Sequence, residues 1–315
     1  MNVKDTYYDV VIAGQGAAAF AAGLYAARYQ IKSLIIGETF GGETATGGLI
    51  ENYPGYPEID GFDLMLKFKE QVEKYDVPII DDKVDSVKKQ ENLFQVKTFG
   101  GEMFSAGTVI LAVCRNRRTL NLKNEEEWVG RGVSYCSTCD APMHKNNVVA
   151  IVGGGNAAVE GALLLSRYAS TVYLIYRKEE FTRPEPISLQ QLNQSKNIKQ
   201  VMSTNVTQLN GVDGLDSISI DKEYNGVSEI DVDGIFIEIG ADPRVEIPNQ
   251  LKLELNEKNE VIVDSEMRTN VEGIFAAGDL CNSSGDLKQT ITAASQGAIA
   301  ATSTYHYVMN SKLDV

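Results

Sequence analysis

The sequence is poor in the residues on which several classes of protein depend. It holds only two histidines, His144 and His306, which argues against a His-based catalytic triad and against a multi-histidine metal site. Its four cysteines are too few for the disulfide framework of a secreted protein of 315 residues. No run of about 18 uninterrupted apolar residues is present, so the sequence predicts no transmembrane helix.

Positive charge is also scarce, with 29 Lys and Arg residues against 43 Asp and Glu residues and a net charge of −14. Because nucleic-acid binding requires clustered Lys and Arg around the phosphates, this balance argues against a nucleic-acid partner. The hydrophobic fraction of 43% is that of an ordinary globular protein, and the length predicts about two domains. Since the first residues show no signal-peptide pattern, we expect a cytoplasmic protein.

One strand–turn–helix pattern occurs twice, at residues 8–19 and again at residues 147–158. The first glycine of such a turn allows a tight bend, the second lets backbone N–H groups approach a pyrophosphate, and a small third residue lets helix and strand pack closely. The helix N-terminus adds partial positive charge. The residues to which we assign cofactor binding are Gly14, Gly16, Ala17 and Ala19 in the first copy and Gly153, Gly155, Asn156 and Ala157 in the second.

The residue that follows the second strand of each copy distinguishes the two predicted nucleotide sites. In the first copy it is Glu38, whose carboxylate accepts hydrogen bonds from ribose hydroxyls, as in sites for FAD or NAD. The matching position in the second copy is Arg177, followed by Lys178, and these cations favour the 2′-phosphate of NADP. The alternative is that all three are solvated residues at strand ends.

A segment near the C-terminus assigns the flavin to the first copy. Residues 273–277 form a predicted buried strand, after which Asp279 is expected to bind a ribitol hydroxyl; the alternative is a core strand with a turn Asp. We therefore predict an α/β protein with an FAD-binding domain of residues 1–116 and 246–315, interrupted by an NADP-binding domain of residues 117–245. Within the insertion, Asn210-Gly211 and Asn225-Gly226 predict turns between strands.

The pair Cys136 and Cys139 has the spacing of a redox dithiol or of half a zinc site. Zinc needs two further ligands, and His144 alone lies near in the sequence. A pair of buried thiols without a redox role is the other alternative. We favour a redox pair, because flavin and NADP sites already indicate electron transfer and a thiolate attacks disulfides. Asp140 follows directly, either as a proton donor and acceptor or as a helix cap. The other two cysteines, Cys114 and Cys281, are interpreted as small core residues.

Residues 130–140, Gly-Arg-Gly-Val-Ser-Tyr-Cys-Ser-Thr-Cys-Asp, followed by the turn at 153–156, resemble the low-molecular-weight thioredoxin reductases. The resemblance extends to residues 41–42, 51–55, 234–240, 277–279 and 288–290. It implies two Rossmann-like domains in a homodimer, with one FAD per subunit, NADPH as donor and thioredoxin or a similar protein as acceptor. It also implies that Cys139 faces the flavin, that Cys136 attacks thioredoxin, and that Asp140 is the general acid and base. The further FAD positions that it implies are Thr39, Gly42, Glu43, Asn52, Val84, Lys288, Gln289 and Thr290.

The sequence departs from this family at three places. The family's usual His-Arg-Arg, three residues and then Arg is here Tyr176-Arg177-Lys178 with Thr182 at the last position, so that Arg183 is displaced by one residue. Cys114 replaces a glycine before the domain crossing, and Glu43 replaces a neutral amide. Two alternatives therefore stay open beside an NADPH-dependent reductase. One is an enzyme with another donor or acceptor, such as NADH, ferredoxin or oxygen, and the other is a non-catalytic redox sensor.

Overall fold

The computed structural model describes residues 7–113, 115–285 and 287–313, with side chains to residue 310. Cys114 lies outside the described residues, so its interpretation as a core residue stays a prediction. The chain divides into two compact units. An outer unit comprises Met1–Asn116 and Pro243–Val315, and an inserted unit comprises Arg117–Asp242. The inserted unit ends before Val245, the last residue of the predicted insertion.

The first part of the outer unit alternates strands and helices. Its elements are β1 (Tyr7–Ala13), α1 (Ala17–Arg28), β2 (Ser33–Gly37), α2 (Gly42–Ala45), β3 (Leu49–Ile50), β4 (Ile59–Asp60), α3 (Gly61–Glu73), β5 (Ile79–Asp81), β6 (Val84–Gln90), β7 (Leu93–Thr98) and β8 (Met103–Leu111). The chain then crosses through β9 (Arg115–Arg117).

The inserted unit repeats the strand–helix alternation and adds a small antiparallel sheet. Its elements are β10 (Val133–Ser134), α4 (Ser137–Asp140), a 3₁₀ turn (Ala141–His144), β11 (Val148–Val152), α5 (Asn156–Leu165), β12 (Thr171–Tyr176), α6 (Pro186–Gln194), β13 (Ile198–Met202), β14 (Val206–Asn210), β15 (Ser217–Tyr224), β16 (Val227–Asp231) and β17 (Gly234–Ile237). The return crossing, β18 (Ala241–Pro243), pairs with β9. The outer unit closes with α7 (Glu246–Gln250), β19 (Ile274–Ala276), a 3₁₀ turn (Gly278–Leu280) and α8 (Thr290–Leu313).

The main sheet of the outer unit has the order β5-β2-β1-β8-β7-β6, and β19 also pairs with β8. The pairs β1–β2, β1–β8, β2–β5 and β8–β19 are parallel. In β1 and β2 nearly every residue is buried, which is typical of parallel strands covered on both faces. The helices α1 and α8 pack against each other, and α3 packs on α1.

The inserted unit has a parallel sheet of order β10-β17-β11-β12-β13 and an antiparallel sheet of order β14-β15-β16. Apolar residues of β11, β12 and β17 are buried in two clusters. The strand order reverses between β11 and β17, because β12 and β13 extend to one side of β11 and β17 and β10 to the other. The predicted α/β class with Rossmann-like parallel sheets is confirmed. Among the described residues, no helix combines the length and the apolar character that crossing a bilayer requires.

Candidate active site

The glycine turn of the outer unit lies at the carboxyl end of β1. Gly14 has φ +132°, and a Cβ at this position would lie 2.2 Å from the carbonyl oxygen of Ala112, the residue that follows β8. Only glycine therefore allows β1 to turn here against its neighbour. The helix α1 begins directly afterwards, with Gly16 as its N-cap and with Ala17 and Ala19 buried. The turn presents a helix N-terminus at the edge where α/β sheets bind ligands.

The acid predicted to bind ribose stands at the same edge. Glu38 follows β2 and forms an ion pair with Arg244, which belongs to the returning part of the outer unit. Gln15, inside the glycine turn, donates hydrogen bonds to Gly37 O (2.8 Å) and Asp81 Oδ1 (2.7 Å). Thr39 is exposed beside Glu38. Its carbonyl oxygen accepts a hydrogen bond from the N–H of Gly42 (3.3 Å). The ends of β2 and β5 and the loop to α2 are thus fastened together.

Asp279 lies in the 3₁₀ turn after β19, next to the end of β8. Burial raises the pKa of its carboxyl; Lys288 and Arg115 act in the opposite direction, and Glu43 and Glu260 add to the rise. The Lys288 ammonium is held by the Glu260 carboxylate, with Nζ 3.1 Å from Oε1, and donates to the carbonyl of Cys281. A half-buried carboxylate with cations and acids near it therefore stands where the flavin ribitol is predicted.

The start of α8 contacts two further segments that the resemblance assigns to the flavin. The hydroxyl oxygens of Thr290 and Thr44 are 3.0 Å apart, and Asn52 Nδ2 donates to Gln289 Oε1 (3.3 Å). Glu43 is exposed on α2, one residue before Thr44. Val84 is buried at the start of β6, three residues after Asp81 ends β5, and its assignment to the flavin stays a prediction.

Two arginines that the sequence patterns did not single out carry buried side-chain nitrogens in this unit. Among the described residues, the Nε atoms of Arg115 and Arg244 have no hydrogen-bond partner. Arg115 acts electrostatically on Asp279, and Arg244 pairs with Glu38, so both cations stand beside predicted FAD residues. Donors without a protein partner fit a ligand that brings acceptor oxygens, such as a pyrophosphate. Together with the glycine turn, the residues present fit FAD.

The glycine turn of the inserted unit repeats this geometry. Gly153 has φ +148°, and a Cβ there would lie 2.2 Å from the carbonyl oxygen of Glu238, the residue that follows β17. At Gly155 a Cβ would meet nothing within 4 Å, so space is open at the start of α5. Asn156 Oδ1 accepts a hydrogen bond from the N–H of Glu185 (2.8 Å) and so ties the turn to the loop before α6. Ala157 is exposed in the first turn of α5.

The predicted 2′-phosphate cations follow β12. Arg177, Lys178 and Arg183 are exposed, and none of them forms an ion pair or a side-chain hydrogen bond with another residue of the described part of the chain. Beside them, the ring of Tyr176 stacks on Phe181 with centroids 5.3 Å apart and 7° between the planes. The same ring covers Gly154, where a Cβ would lie 2.1 Å from a ring carbon. The cations are thus available to a ligand, next to a stacked aromatic pair.

The dithiol lies in the same unit, directly after β10. Cys136 and Cys139 form a disulfide with their Cα atoms 5.3 Å apart. Cys136 is the N-cap of α4, and the N–H of Cys139 donates to its sulfur (3.1 Å). Ser134 Oγ accepts a hydrogen bond from the N–H of Cys136 (3.0 Å). Cys139 is exposed and Cys136 is half-buried, so one sulfur of the pair is open to a reaction partner.

Several polar side chains support this turn. The Tyr135 hydroxyl donates to Glu125 Oε1 (2.6 Å), and burial and that carboxylate raise the pKa of Tyr135. The hydroxyl of Ser137 donates to Glu238 Oε1 (3.3 Å). Asp140 precedes the 3₁₀ turn, and its side chain makes no capping hydrogen bond there, so its role in proton transfer stays a prediction. His144 follows one turn later, and burial lowers its pKa.

The chain is similar in sequence and in fold to proteins that are already known. The sequence profile of the pyridine nucleotide-disulphide oxidoreductases matches residues 8–297. The chain belongs to this family. It is 36% identical over 305 residues to the thioredoxin reductase of Mycolicibacterium smegmatis, covering 96% of each chain. Its fold is similar to that of Lactococcus lactis thioredoxin reductase (TM-score 0.90, 34% identity, 96% of this chain and 99% of that chain). It is also similar to a ferredoxin-flavin thioredoxin reductase from Clostridium acetobutylicum (TM-score 0.52, 30% identity, 98% and 99%).

This member of the pyridine nucleotide-disulphide oxidoreductases has polar residues at its candidate sites that no local sequence motif predicted. Arg115 and Arg244 lie in the two segments that the sequence marks only as domain crossings. Glu238 directly follows β17, in the segment 234–240 to which the resemblance assigns no residue role, and its contact with Ser137 joins residues 101 positions apart. Cys281 is fully buried, and burial raises the pKa of its thiol, as expected of a core residue.

Proposed function

We propose that the chain is an FAD-dependent reductase that passes electrons from NADPH, through the Cys136–Cys139 pair, to thioredoxin or a similar protein disulfide. One observation carries the proposal. The disulfide and a glycine turn for a dinucleotide stand at the same edge of one parallel sheet, in a family member whose other unit has a second such turn. The thioredoxin reductase names of its relatives support the choice of acceptor.

When bound, FAD supplies the two-electron chemistry that links hydride transfer from a nicotinamide to reduction of a disulfide. The outer unit's part is to hold it through the turn at 14–19, through Glu38 and through Asp279. The part of the inserted unit is to hold the dinucleotide on the turn at 153–157, with Arg177, Lys178 and Arg183 for the 2′-phosphate. Thiol–disulfide exchange with the partner protein then takes place at the sulfur atoms of Cys136 and Cys139.

In the reduced protein, the Cys136 thiolate attacks one sulfur of the partner disulfide, and the other partner sulfur leaves as a thiolate. The Cys139 thiolate next attacks Cys136 in this mixed disulfide. The Cys136–Cys139 bond is thereby restored, and the partner departs as a dithiol after taking up two protons. Asp140 accepts and returns a proton at these sulfurs. Cys139 is exposed and Cys136, the attacking residue, is half-buried, so the partner disulfide must reach the less exposed cysteine of the pair.

The donor has a second candidate. Tyr176 and Thr182 stand where two cationic positions are usual in the resembled family, so fewer charges face a 2′-phosphate. A similar structure carries the name ferredoxin-flavin thioredoxin reductase. NADH or a protein donor is therefore the alternative to NADPH. We further propose a cytoplasmic homodimer with one FAD per subunit, and light scattering of the purified protein measures that assembly directly.

Anaerobic titration of the purified protein tests the proposal. We expect a flavin spectrum that NADPH bleaches more readily than NADH and that oxidised thioredoxin restores. Bleaching by reduced ferredoxin alone would establish the alternative donor. Recovery of the flavin spectrum with oxygen but not with thioredoxin would instead identify a dithiol oxidase. A colourless protein that takes up no FAD would overturn the proposal.

A further inference from the structure

Glu238 occupies a particular position in the inserted unit. It directly follows β17, whose neighbours in the sheet are β10, which leads to the dithiol, and β11, which leads to the glycine turn at Gly153. The strand order of this sheet reverses between β11 and β17. In open α/β sheets, ligands bind at the carboxyl ends of the strands at the point of reversal. Glu238, directly after β17, therefore lies at the edge of the sheet where a dinucleotide is expected to bind.

The backbone and the side chain of Glu238 are both held in place. Its N–H donates to Val152 O (2.9 Å), and its carbonyl oxygen packs where a Cβ of Gly153 would stand. Its carboxylate accepts a hydrogen bond from Ser137, which is buried to 7% exposure and packs against Gly161 of α5. The half-buried carboxylate is thus fixed between the dithiol turn and the nucleotide turn.

The position matters because of the charge that a nicotinamide carries. A dinucleotide with its pyrophosphate on the turn at 153–155 extends its nicotinamide half across the reversal point, toward the end of β17. When C4 of the reduced ring loses hydride, the C–H bond breaks, both of its electrons leave with the hydrogen to the acceptor, and the neutral ring becomes a cation. A fixed carboxylate attracts that cation and has no such attraction for the neutral ring.

We propose that the Glu238 carboxylate, held by Ser137, faces the nicotinamide half of the bound dinucleotide and stabilises the positive charge of the oxidised ring. This inference rests on the proposed use of a nicotinamide donor. It makes Glu238 a residue that favours departure of the hydride, because it stabilises charge that develops in that step. It also predicts that the protein selects the oxidised nicotinamide over the reduced form.

Calorimetric titration of the oxidised, FAD-loaded protein tests this selection with three ligands. These are NADP⁺, its neutral non-reducing analogue 1,4,5,6-tetrahydro-NADP, and 2′-phospho-ADP-ribose, which lacks the nicotinamide. Glu238→Gln keeps the size of the side chain and removes its charge. We expect it to weaken NADP⁺ about tenfold, to change the tetrahydro analogue less than about twofold, and to leave 2′-phospho-ADP-ribose unchanged. Glu223→Gln, an exposed position on β15 with the same change of charge, should alter none of them.

Equal weakening of all three ligands would mean that Glu238 only shapes the site, and this result would overturn the inference, as would unchanged NADP⁺ binding. If Glu238→Gln does not fold, Glu238→Asp serves instead. It keeps the negative charge on a shorter side chain, farther from the nicotinamide, so the preference for NADP⁺ over the tetrahydro analogue should shrink. An unaltered preference in Glu238→Asp would contradict the inference. Failure of the wild-type protein to bind any of the three ligands would instead refute the NADPH donor of the proposed function, and this inference with it.

Discussion

Glu38 and Arg244 form an ion pair across 206 positions of the sequence. Glu38 directly follows β2, the second strand of the first nucleotide-binding pattern, and Arg244 is the second residue of the part of the chain that returns to the outer unit after the insertion. The pair joins the predicted ribose acid to a cation whose Nε has no hydrogen-bond partner in the described part of the molecule. The two segments that make up the outer unit therefore meet at the predicted FAD site.

Glu38→Gln should weaken FAD binding about tenfold, because a charged acceptor for the ribose is lost and Arg244 loses its partner. The dissociation constant of FAD, measured by fluorescence after removal and readdition of the cofactor, checks this expectation. Glu272→Gln is the matched control, since Glu272 is exposed in the same unit and its replacement changes the charge equally. Equal FAD affinity of Glu38→Gln and the control would contradict the role of Glu38.

Gly153→Ala should destabilise the inserted unit by about 3 kcal/mol, because the new methyl group meets the Glu238 carbonyl at 2.2 Å and the backbone is held at φ +148°. Trp128, the one tryptophan of the chain, is buried in this unit, so its fluorescence follows denaturant unfolding of the unit. Gly226→Ala is the control. It has φ +82° with nothing within 4 Å of a Cβ, and we expect a loss of about 1 kcal/mol. Similar losses in both variants would contradict the close approach.

The inserted unit should lose stability as the pH falls below about 6.5, the ordinary pKa of histidine. Burial lowers the pKa of His144, and this effect outweighs the opposing carboxylates of Asp140 and Asp233. The folded protein therefore binds this proton less readily than the unfolded chain, and protonation favours unfolding. His144→Phe, which keeps a ring against Phe236, should reduce the loss of Trp128-monitored stability between pH 7.5 and 5.5. His306→Phe, at an exposed position of the outer unit, should leave this loss of stability unchanged. If His144→Phe also leaves the loss unchanged, His144 is not the group responsible.

The double variant Arg177→Gln/Lys178→Gln should lower kcat/KM for NADPH by about tenfold to a hundredfold and leave the value for NADH nearly unchanged. The reason is that charge-assisted bonds to a 2′-phosphate are lost, while NADH brings no such phosphate. Steady-state kinetics with both donors measures the ratio. Lys196→Gln, at an exposed site after α6, serves as control. An equal loss of kcat/KM with NADPH and with NADH would show that Arg177 and Lys178 do not bind the 2′-phosphate.

Local sequence patterns predict much of the fold. The two glycine turns stand at the ends of β1 and β11, and Asn225-Gly226 joins β15 to β16 with φ +52° and +82°. These features depend on a few adjacent residues whose backbone preferences are strong. The α/β class follows from the repeat of strand, turn and helix, because parallel strands require crossover connections.

Contacts between distant segments were not predictable in this way. Glu238 sits beside Gly153 because β17 is inserted between β10 and β11, and no local pattern sets that strand order. The ion pair of Glu38 with Arg244 likewise depends on where the chain returns after the insertion. Charged residues at strand ends are common in α/β proteins, so neither Glu238 nor Arg244 differs by type from solvated neighbours.

The stoichiometry of a coupled reaction with limiting NADPH and excess oxidised thioredoxin, under anaerobic conditions, measures electron flow through Cys136 and Cys139 most directly. We expect one thioredoxin disulfide to be reduced for each NADPH oxidised. With Cys136→Ser or Cys139→Ser we expect none, although NADPH still bleaches the flavin, while Cys281→Ala retains the reaction. Thioredoxin reduction that persists in either serine variant would contradict the central role of the dithiol.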